Sequence, residues 1–191
     1  VQYDHSGQAI DMEGRWTLVP GQDREPGSIL EINTDIRQRK ATDREIQRLA
    51  FYDTLTGLPN RMLLLDRMQQ ALGNAQRHHL GGALLFIDLD NFKTLNDTLG
   101  HDKGDLLLQQ VAQRLNASVR SVDTVARLGG DEFIILLPGL HQPQDAEQVA
   151  QKLLECFGAP FQLDNHEFFI SASIGIALSP QDGSRSSQLM K

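Results

Sequence analysis

The chain has 191 residues, of which 40% are hydrophobic, and this is enough for one ordinary domain with an appendage. A formal net charge of −7 argues against a general binder of nucleic-acid polymers. Neither a signal peptide nor an apolar run of membrane-spanning length is visible, so we expect a cytoplasmic location and no membrane contact within these residues. Membrane attachment through other parts of a longer parent protein stays open. The single cysteine, Cys156, lies in an apolar helical pattern and is predicted to be a small buried residue.

The first fifty residues predict a hairpin followed by a helix. Apolar runs at residues 16–19 and 28–33 are typical of strands, and the Gly- and Pro-rich residues 20–27 are typical of the loop between them. The charged segment 35–49 predicts a helix whose thin apolar stripe consists of Ile36, Ile46 and Leu49. This stripe fits either a short parallel coiled coil between two protomers or a solvated linker helix, because so few heptads do not decide between them.

Helical and strand patterns alternate from residue 60 onward. This order, with a Gly-Gly turn between two apolar runs, predicts an α+β fold in which helices pack on one sheet that contains an antiparallel hairpin. Helices are predicted at 61–79, 104–120 and 144–157, and strands at 83–88, 122–128, 133–137 and 168–178. The predicted inward helix positions are Met62, Leu65, Met68, Leu72, Leu107, Leu108, Val111, Leu115, Ala146, Val149, Leu153 and Leu154.

Carboxylates stand at the ends of two predicted strands. Asp131 and Glu132 follow the Gly-Gly turn, and Asp88 and Asp90 end an apolar run that needs no Asp for packing. Two acidic strand ends that meet would form a hard-oxygen site suited to Mg²⁺ and phosphates. Gly-Gly-Asp alone is also an ordinary turn, and Asp90 could equally cap the loop that follows it.

Other polar residues carry weaker signals. Asp53 and Arg61 bracket a turn, and we predict that they pair across it, a contact worth on the order of 0–1 kcal/mol at a surface. The six histidines share no metal-binding spacing and are predicted to be surface or packing residues.

Five segments, in order, resemble the motifs of the GGDEF family of diguanylate cyclases. The resemblance implies the ferredoxin-like palm of nucleotidyl cyclases over residues 51–191, with a central antiparallel sheet and packed helices. Family members continue beyond Lys191 into a segment whose basic residues help to hold the triphosphate, so we expect weak nucleotide binding and slow turnover of this piece. The segments are residues 53–61 (DTLTGLPNR), 86–97 (FIDLDNFKTLND), 100–107 (GHDKGDLL), 127–133 (RLGGDEF) and 171–177 (SASIGIA).

The first fifty residues resemble a different family. Residues 1–35 resemble the C-terminal end of a PAS sensor domain, a weaker match because such hairpins are widespread, and residues 36–50 then correspond to a signalling linker helix.

The GGDEF resemblance implies condensation of two GTP molecules into cyclic di-GMP, with release of pyrophosphate, by a homodimer. It implies Mg²⁺, with Mn²⁺ as an alternative, held by Asp88, Asp131 and the Leu89 carbonyl. Glu132 is implied as a second acidic contributor, either to the metal or to activation of the attacking hydroxyl. The alternative function is a catalytically silent module that binds GTP or cyclic di-GMP beside a phosphodiesterase domain.

The resemblance also implies the contacts to GTP. Asn91, Phe92 and Lys93 would hold the phosphates through backbone N–H groups and the lysine charge, and Asn96 and Asp105 would read guanine. A carboxylate can accept from guanine N1–H and N2–H₂ together, whereas adenine lacks that donor pair. We also expect Asp105 to lie in the first turn of a helix, where its negative charge interacts favourably with the helix dipole.

A further pair matches the family's inhibitory site, at which the product cyclic di-GMP binds. Arg120 and Asp123 precede Gly129 at the family's spacing, with the five residues 124–128 between Asp123 and Gly129. Arg can stack on or fork to a guanine or phosphate, and Asp can accept from a guanine edge. The alternative is a helix-end arginine followed by an unrelated strand-start aspartate.

Overall fold

The computed structural model describes residues 2–3, 7, 9–19, 28–164 and 166–191. The chain divides into two compact units, Val1–Leu49 and Ala50–Lys191. The predicted loop at 20–27 and His5 lie outside the described residues. Within the described ranges, none of the helices combines the length and the apolar character that crossing a bilayer requires.

The first unit contains two antiparallel strand pairs and most of a helix. Ile36, between the second pair and the helix, is buried, whereas Ile46 and Leu49 are exposed. The choice between a coiled coil and a solvated helix therefore stays open. The elements are β1 (Gln2–Tyr3) paired with β2 (Ala9–Ile10), β3 (Met12–Val19) paired with β4 (Ser28–Asp35), and α1 (Arg37–Phe51).

The second unit has one four-stranded sheet in the order β10-β5-β7-β6, and all three neighbouring pairs are antiparallel. A separate short hairpin, β8–β9, lies outside this sheet. The predicted α+β class with packed helices is confirmed. The elements are α2 (Arg61–His78), β5 (Gly81–Leu89), α3 (Phe92–Leu99), α4 (His101–Ser118), β6 (Thr124–Gly129), β7 (Glu132–Leu140), α5 (Gln144–Cys156), β8 (Phe161–Leu163), β9 (His166–Phe168), β10 (Ala172–Ser179) and α6 (Ser186–Leu189).

Both faces of the sheet are buried, because its central strands are apolar at nearly every position. Successive side chains of a strand point to opposite faces. Leu85 and Ile87 therefore join the core formed with α4 and α5, and Leu84 joins the core formed with α2 and α6. Asp88, the next residue after Ile87, is exposed on the α2 face. The acidic end of β5 thus projects from a strand that packing holds on both sides.

Two predicted helix faces need correction. Met62 is exposed, and the inward face of α2 centres on Leu64 and Met68 instead. Two residues of helix correspond to roughly 200° of rotation, so Met62 and Leu64 cannot share a face. In α5, Leu153 is buried and Leu154 is exposed, because neighbouring residues lie roughly 100° apart around a helix.

Several predicted boundaries also shift. α4 begins at His101, because Gly100, at φ 86°, lets the chain pass directly from α3 into α4. β6 begins at Thr124 rather than at Val122, and the predicted strand 168–178 is divided between β9 and β10. Of the three residues expected to hold the phosphates, Asn91 lies in a turn, and Phe92 and Lys93 are the first residues of α3.

Candidate functional site

The hairpin between β6 and β7 carries two acidic residues at its tip. Gly129 and Gly130 have φ values of 146° and 52°, which L side chains rarely adopt, so the turn requires glycine at both positions. Asp131 follows them, and Glu132 begins β7 as the partner of Gly129 across a register shift. The predicted hairpin is confirmed, with Asp131 in its turn and Glu132 at the first position of β7.

The end of β5 lies beside this tip. Asp88 is the register partner of Glu132 on β7 and of Ser173 on β10. Residues directly opposite each other on antiparallel strands project from the same face. Leu89 is buried in the opposite core, so only its backbone carbonyl is available to a ligand. The structure therefore brings together the two acidic strand ends that the sequence singles out.

The electrostatics of Asp88 are those of a crowded carboxylate. Although Asp88 is largely exposed, partial loss of hydration at the strand end, and then the nearby charges of Asp131 and Asp90, raise the pKa of Asp88 above its ordinary value. A divalent cation between Asp88 and Asp131 would relieve this repulsion, and carboxylate and carbonyl oxygens are the ligands that Mg²⁺ prefers.

The donor set of this candidate metal site is small. In the part of the chain that the structure describes, no three or more His, Cys, Asp or Glu side chains converge to hold an ion. The fit therefore rests on two carboxylates and the Leu89 carbonyl. Mg²⁺ usually binds through one or two carboxylates, with substrate phosphates and water completing its shell, so this set suits an ion that arrives with a nucleotide.

Both carboxylate oxygens of Asp90 accept hydrogen bonds from serines next to or within β10. Its Oδ2 accepts from the Ser171 hydroxyl at 2.5 Å, and its Oδ1 accepts from the Ser173 hydroxyl at 2.8 Å. These two hydrogen bonds lower the pKa of Asp90. Of the two roles left open for Asp90, a cap for the following loop does not match these contacts, because both oxygens accept from serines 81 and 83 residues away and Asn91 occupies the N-cap position of α3.

The N-terminus of α3 follows the acidic strand end directly. Asn91 has φ 61°, a left-handed conformation that turns the chain from β5 into the helix. Phe92 is buried and Lys93 is exposed, so Phe92 can offer a ligand only its backbone, whereas Lys93 can offer its charge. Uncapped N–H groups at a helix N-terminus form a favourable environment for phosphate.

The two predicted guanine-reading residues lie on neighbouring helices. Asn96 is on α3 and Asp105 is on α4, and a Cβ on Gly104 would collide with the Asn96 side chain. Among the described residues, Asn96 Oδ1 is buried without a hydrogen-bond partner, as expected of an atom that awaits a donor from a ligand. Asp105 is exposed in the second turn of α4, so the expected position in the first turn is wrong, and the helix dipole is a weaker reason for its presence.

Asp53 pairs with a distant arginine and not with Arg61. The Arg127 Nη1 donates to both Asp53 oxygens, at 2.9 and 3.1 Å, and its Nε and Nη2 donate to the Gly130 carbonyl. The Thr56 hydroxyl and backbone N–H also donate to Asp53. Arg127 therefore connects the turn after α1 to the glycine turn that carries Asp131.

Arg120 and Asp123 meet in a cavity of about 580 Å³ between the end of α4 and the start of α5. The Asp123 carboxylate is only 1% exposed and accepts from the Arg120 backbone N–H and guanidinium, whereas the Arg120 side chain is 57% exposed. Arg120 thus offers the larger accessible surface to a ligand. Lys152 and His141 line the same cavity. This cavity lies at the other end of β6 from the hairpin tip, roughly 20 Å along the strand at 3.3 Å per residue.

Sequence reasoning missed four residues that shape the site: Gly104, Arg127, Ser171 and Ser173. All four lie within the segments that carry the family resemblance, so membership of these segments could have marked them as candidates. The contacts themselves had no sequence signal. The five described histidines are all exposed, as predicted.

A family model described as "Diguanylate cyclase, GGDEF domain" matches residues 50–191. The bifunctional diguanylate cyclase/cyclic di-GMP phosphodiesterase MucR of Pseudomonas aeruginosa is 53% identical over 148 residues, covering 78% of this chain and 22% of MucR. The cyclic di-GMP phosphodiesterase NbdA of the same organism is 38% identical over 160 residues, covering 84% of this chain and 20% of NbdA. The chain therefore spans about a fifth of the length of these relatives.

A solved structure agrees with these sequence relatives. The GGDEF domain of TpbB from Pseudomonas aeruginosa superposes with a TM-score of 0.71 at 41% identity, covering 73% of this chain and 81% of that one. This neighbour supports the nucleotidyl-cyclase palm predicted for the second unit. With the family model matched over most of its length, this chain belongs to the diguanylate cyclase GGDEF-domain family.

Proposed function

We propose that residues 50–191 form a diguanylate cyclase domain that condenses two GTP molecules into cyclic di-GMP and releases pyrophosphate. The observation that carries this proposal is the junction of Asp88 with the tip of the β6–β7 hairpin, beside the uncapped N-terminus of α3. Packing would not select this grouping of carboxylates. The grouping suits the binding of a nucleoside triphosphate together with a divalent cation.

The chemistry required is attack of a ribose 3′-hydroxyl on an α-phosphorus. A bound Mg²⁺ or Mn²⁺ would polarise the phosphoryl group and lower the pKa of the hydroxyl. Asp88, Asp131 and the Leu89 carbonyl would hold the ion, and Glu132 would contribute either to the ion or to hydroxyl activation. The backbone N–H groups at Asn91 and Phe92 would orient the phosphates from the opposite side, with the charge of Lys93 nearby.

Base selection would come from the α3–α4 pair. Asn96 carries a buried acceptor without a donor, and Asp105 is an exposed carboxylate on the adjoining helix. Guanine N1–H and N2–H₂ can donate to these acceptors. Adenine lacks that donor pair and would leave the Asp105 carboxylate without a partner. We therefore assign GTP, and not ATP, as the substrate.

The product joins two nucleotides, whereas one site of this kind holds one. Two protomers must therefore bring their sites face to face, so the domain acts as a homodimer. On dilution through the range in which the dimer dissociates, product formation should fall faster than protein concentration. A specific activity that stays constant over that range would contradict the dimer.

The second candidate is a silent module that binds GTP or cyclic di-GMP for regulation. It is favoured by NbdA, which is named as a phosphodiesterase alone, whereas the name of MucR includes both activities. Product formation separates the two candidates. A chain that binds guanine nucleotides with micromolar affinity and forms no cyclic di-GMP would be the silent module.

The decisive experiment incubates this chain with GTP and Mg²⁺ or Mn²⁺ and identifies the product by mass spectrometry. Asp131→Ala should abolish turnover and leave the circular dichroism spectrum unchanged, because Asp131 lies at the hairpin tip and is not buried. Asp66→Ala is a matched control, since this carboxylate lies on the surface of α2 and, among the described residues, accepts a hydrogen bond from Gln70 of the same helix. Turnover retained in Asp131→Ala would mean that the site is misplaced.

Product inhibition is also part of this proposal. Arg120 would bind cyclic di-GMP in the cavity beside Asp123, at a place separate from Asp88 and Asp131. The likeness of residues 1–35 to a PAS sensor, and of 36–50 to a signalling helix, stays a prediction about how the cyclase would be controlled.

A further inference from the structure

We infer that Asp90 is a positioning residue that, through Ser171 and Ser173, fixes the end of β5 and the start of α3 for catalysis. We call these three residues the β5–β10 clamp. The inference rests on the proposed cyclase function and assigns a role to a carboxylate for which that function has no direct use.

The clamp joins the catalytic strand to an edge strand of the sheet. β10 is hydrogen-bonded to β5 alone within the sheet, and it begins at Ala172. Just beyond the last register pair, the Asp90 N–H donates to the Ser171 carbonyl at 3.0 Å. The two serine hydroxyls then occupy one oxygen each of the Asp90 carboxylate. Asp90 therefore makes three hydrogen bonds to the first residues of the β10 edge.

These bonds argue against the two simpler roles for Asp90. A metal ligand needs an oxygen directed at the ion, and although each Asp90 oxygen keeps a second lone pair, the serine hydroxyls hold both oxygens towards β10. A helix cap needs a bond to the first N–H groups of α3, but Asn91 stands at that position. The remaining role for Asp90 is to hold the backbone in place near the groups that would react.

That location determines what the clamp positions. Leu89, whose carbonyl is the proposed metal ligand, precedes Asp90, and Asn91, which opens the phosphate-binding end of α3, follows it. Asn91 is held at φ 61°, which residues other than glycine adopt uncommonly. Because Asp90 is tied at its backbone and at both side-chain oxygens, the peptide groups on either side of it have little freedom. The clamp thereby fixes the Leu89 carbonyl, which would hold the ion, relative to the start of α3, which would hold the phosphates.

The clamp also reaches the back of α3. A cavity of about 270 Å³ separates this helix from the β9–β10 connection, and Asp90 and Ser171 line it together with Thr94 and Leu95 of α3. Loosening Asp90 would therefore free the start of α3 and the β9–β10 connection at once.

The sheet itself does not need the clamp. β5 and β10 share eight register pairs, from Ala172 with Leu89 to Ser179 with Gly82. Removing the clamp should therefore leave the fold intact and change catalysis. This separates a positioning role from a purely structural one, which would alter stability and leave kcat unchanged.

The test compares Asp90→Ala, Asp90→Asn and the double variant Ser171→Ala with Ser173→Ala in the 191-residue chain. A misplacement on the order of 1 Å can cost about 100-fold in rate, so we expect kcat to fall about 10- to 100-fold in Asp90→Ala and in the double serine variant, with KM for GTP changed less than about threefold. Asp90→Asn should retain kcat within about fivefold, because an amide can accept from one hydroxyl and donate to the other. Asp66→Asn is the control for loss of a carboxylate.

A second measurement does not depend on turnover. Hydrogen exchange of the residue-90 amide, which is bonded to Ser171, should be about tenfold faster in Asp90→Ala and in the double serine variant than in the unchanged chain and the control. If the unchanged chain makes no cyclic di-GMP, the proposed function fails, and the exchange rates still decide whether the clamp orders this segment.

Two results would overturn the inference. In the first, Asp90→Asn loses as much kcat as Asp90→Ala while the double serine variant is unimpaired, so that the charge of Asp90 acts directly. In the second, kcat and amide exchange are unchanged in all three variants.

Discussion

Replacing Arg127 by alanine should lower the stability of the second unit more than breaking an exposed ion pair would. The guanidinium makes two hydrogen bonds to Asp53 and two to the Gly130 carbonyl, and the side chains of Arg127 and Asp53 are 10% and 20% exposed. Breaking a buried pair costs about 3–5 kcal/mol, and breaking an exposed pair costs at most about 1 kcal/mol. This pair lies close to the buried limit, so we expect a loss of about 2–4 kcal/mol.

Urea unfolding followed by circular dichroism measures this loss. For a domain of this size, 1 kcal/mol corresponds to about 2–4 °C, so the midpoint of thermal unfolding should fall by about 4–16 °C. Arg48→Ala is the matched control, because its partner Glu45 is on the same helix and both side chains are about half exposed. Its effect on the unfolding midpoint should be too small to resolve, because solvent and salt screen an exposed pair. An Arg127→Ala variant no less stable than Arg48→Ala would refute the reasoning.

The same pair predicts a dependence on pH. Burial of the Asp53 carboxyl would by itself raise its pKa, but hydrogen bonds from Thr56 and Arg127 outweigh burial, and the pKa lies below its ordinary value. A carboxylate with a depressed pKa stabilises the fold above its ordinary value of about 3.9, and that stabilisation is lost as the pH falls below it. The stability difference between the unchanged chain and Arg127→Ala should therefore narrow below about pH 4.

Three further outcomes test the nucleotide and inhibitor sites. Asp105→Ala should weaken GTP binding by about 1–3 kcal/mol and ATP binding hardly at all, measured by calorimetry, and equal losses would mean that Asp105 does not read the base. Gly104→Ala should destabilise the chain by about 1–3 kcal/mol in urea through collision with Asn96, and adding Asn96→Ala should recover most of the loss, whereas no recovery would place the collision elsewhere. Arg120→Ala should abolish calorimetric binding of cyclic di-GMP and relieve product inhibition at an unchanged initial rate, and undiminished binding would remove Arg120 from the inhibitory site.

The acidic strand ends could be predicted because their signals are local. A Gly-Gly pair between apolar runs specifies a hairpin, and an apolar run ending in Asp88 specifies a buried strand. Antiparallel pairing of strands with these patterns then places Asp88 opposite Glu132. The α+β class follows from the same alternation of strand and helix patterns.

The side-chain partners could not be predicted in the same way. Arg61, eight residues further along, is the first cation after Asp53 in the sequence, but the observed partner is Arg127, at a separation of 74 residues. Local periodicity carries no information about contacts at that range. Asp90 shows the same limit, because a carboxylate after a strand has the same pattern whether it caps a helix or accepts from hydroxyls on another strand.

The β5–β10 clamp also has a consequence for how the chain acquires its structure. Asp90 lies 81 and 83 residues from Ser171 and Ser173, and its strand has no sheet partner nearer in sequence than β7. Contacts at such separations require large loops to close first, which places proteins rich in them among the slower folders. During synthesis, β5 would leave the ribosome well before either of its neighbours, with both edges unpaired. We therefore expect the nucleotide site to be ordered late in folding, and a refolding chain to regain helical signal before it regains the ability to bind GTP.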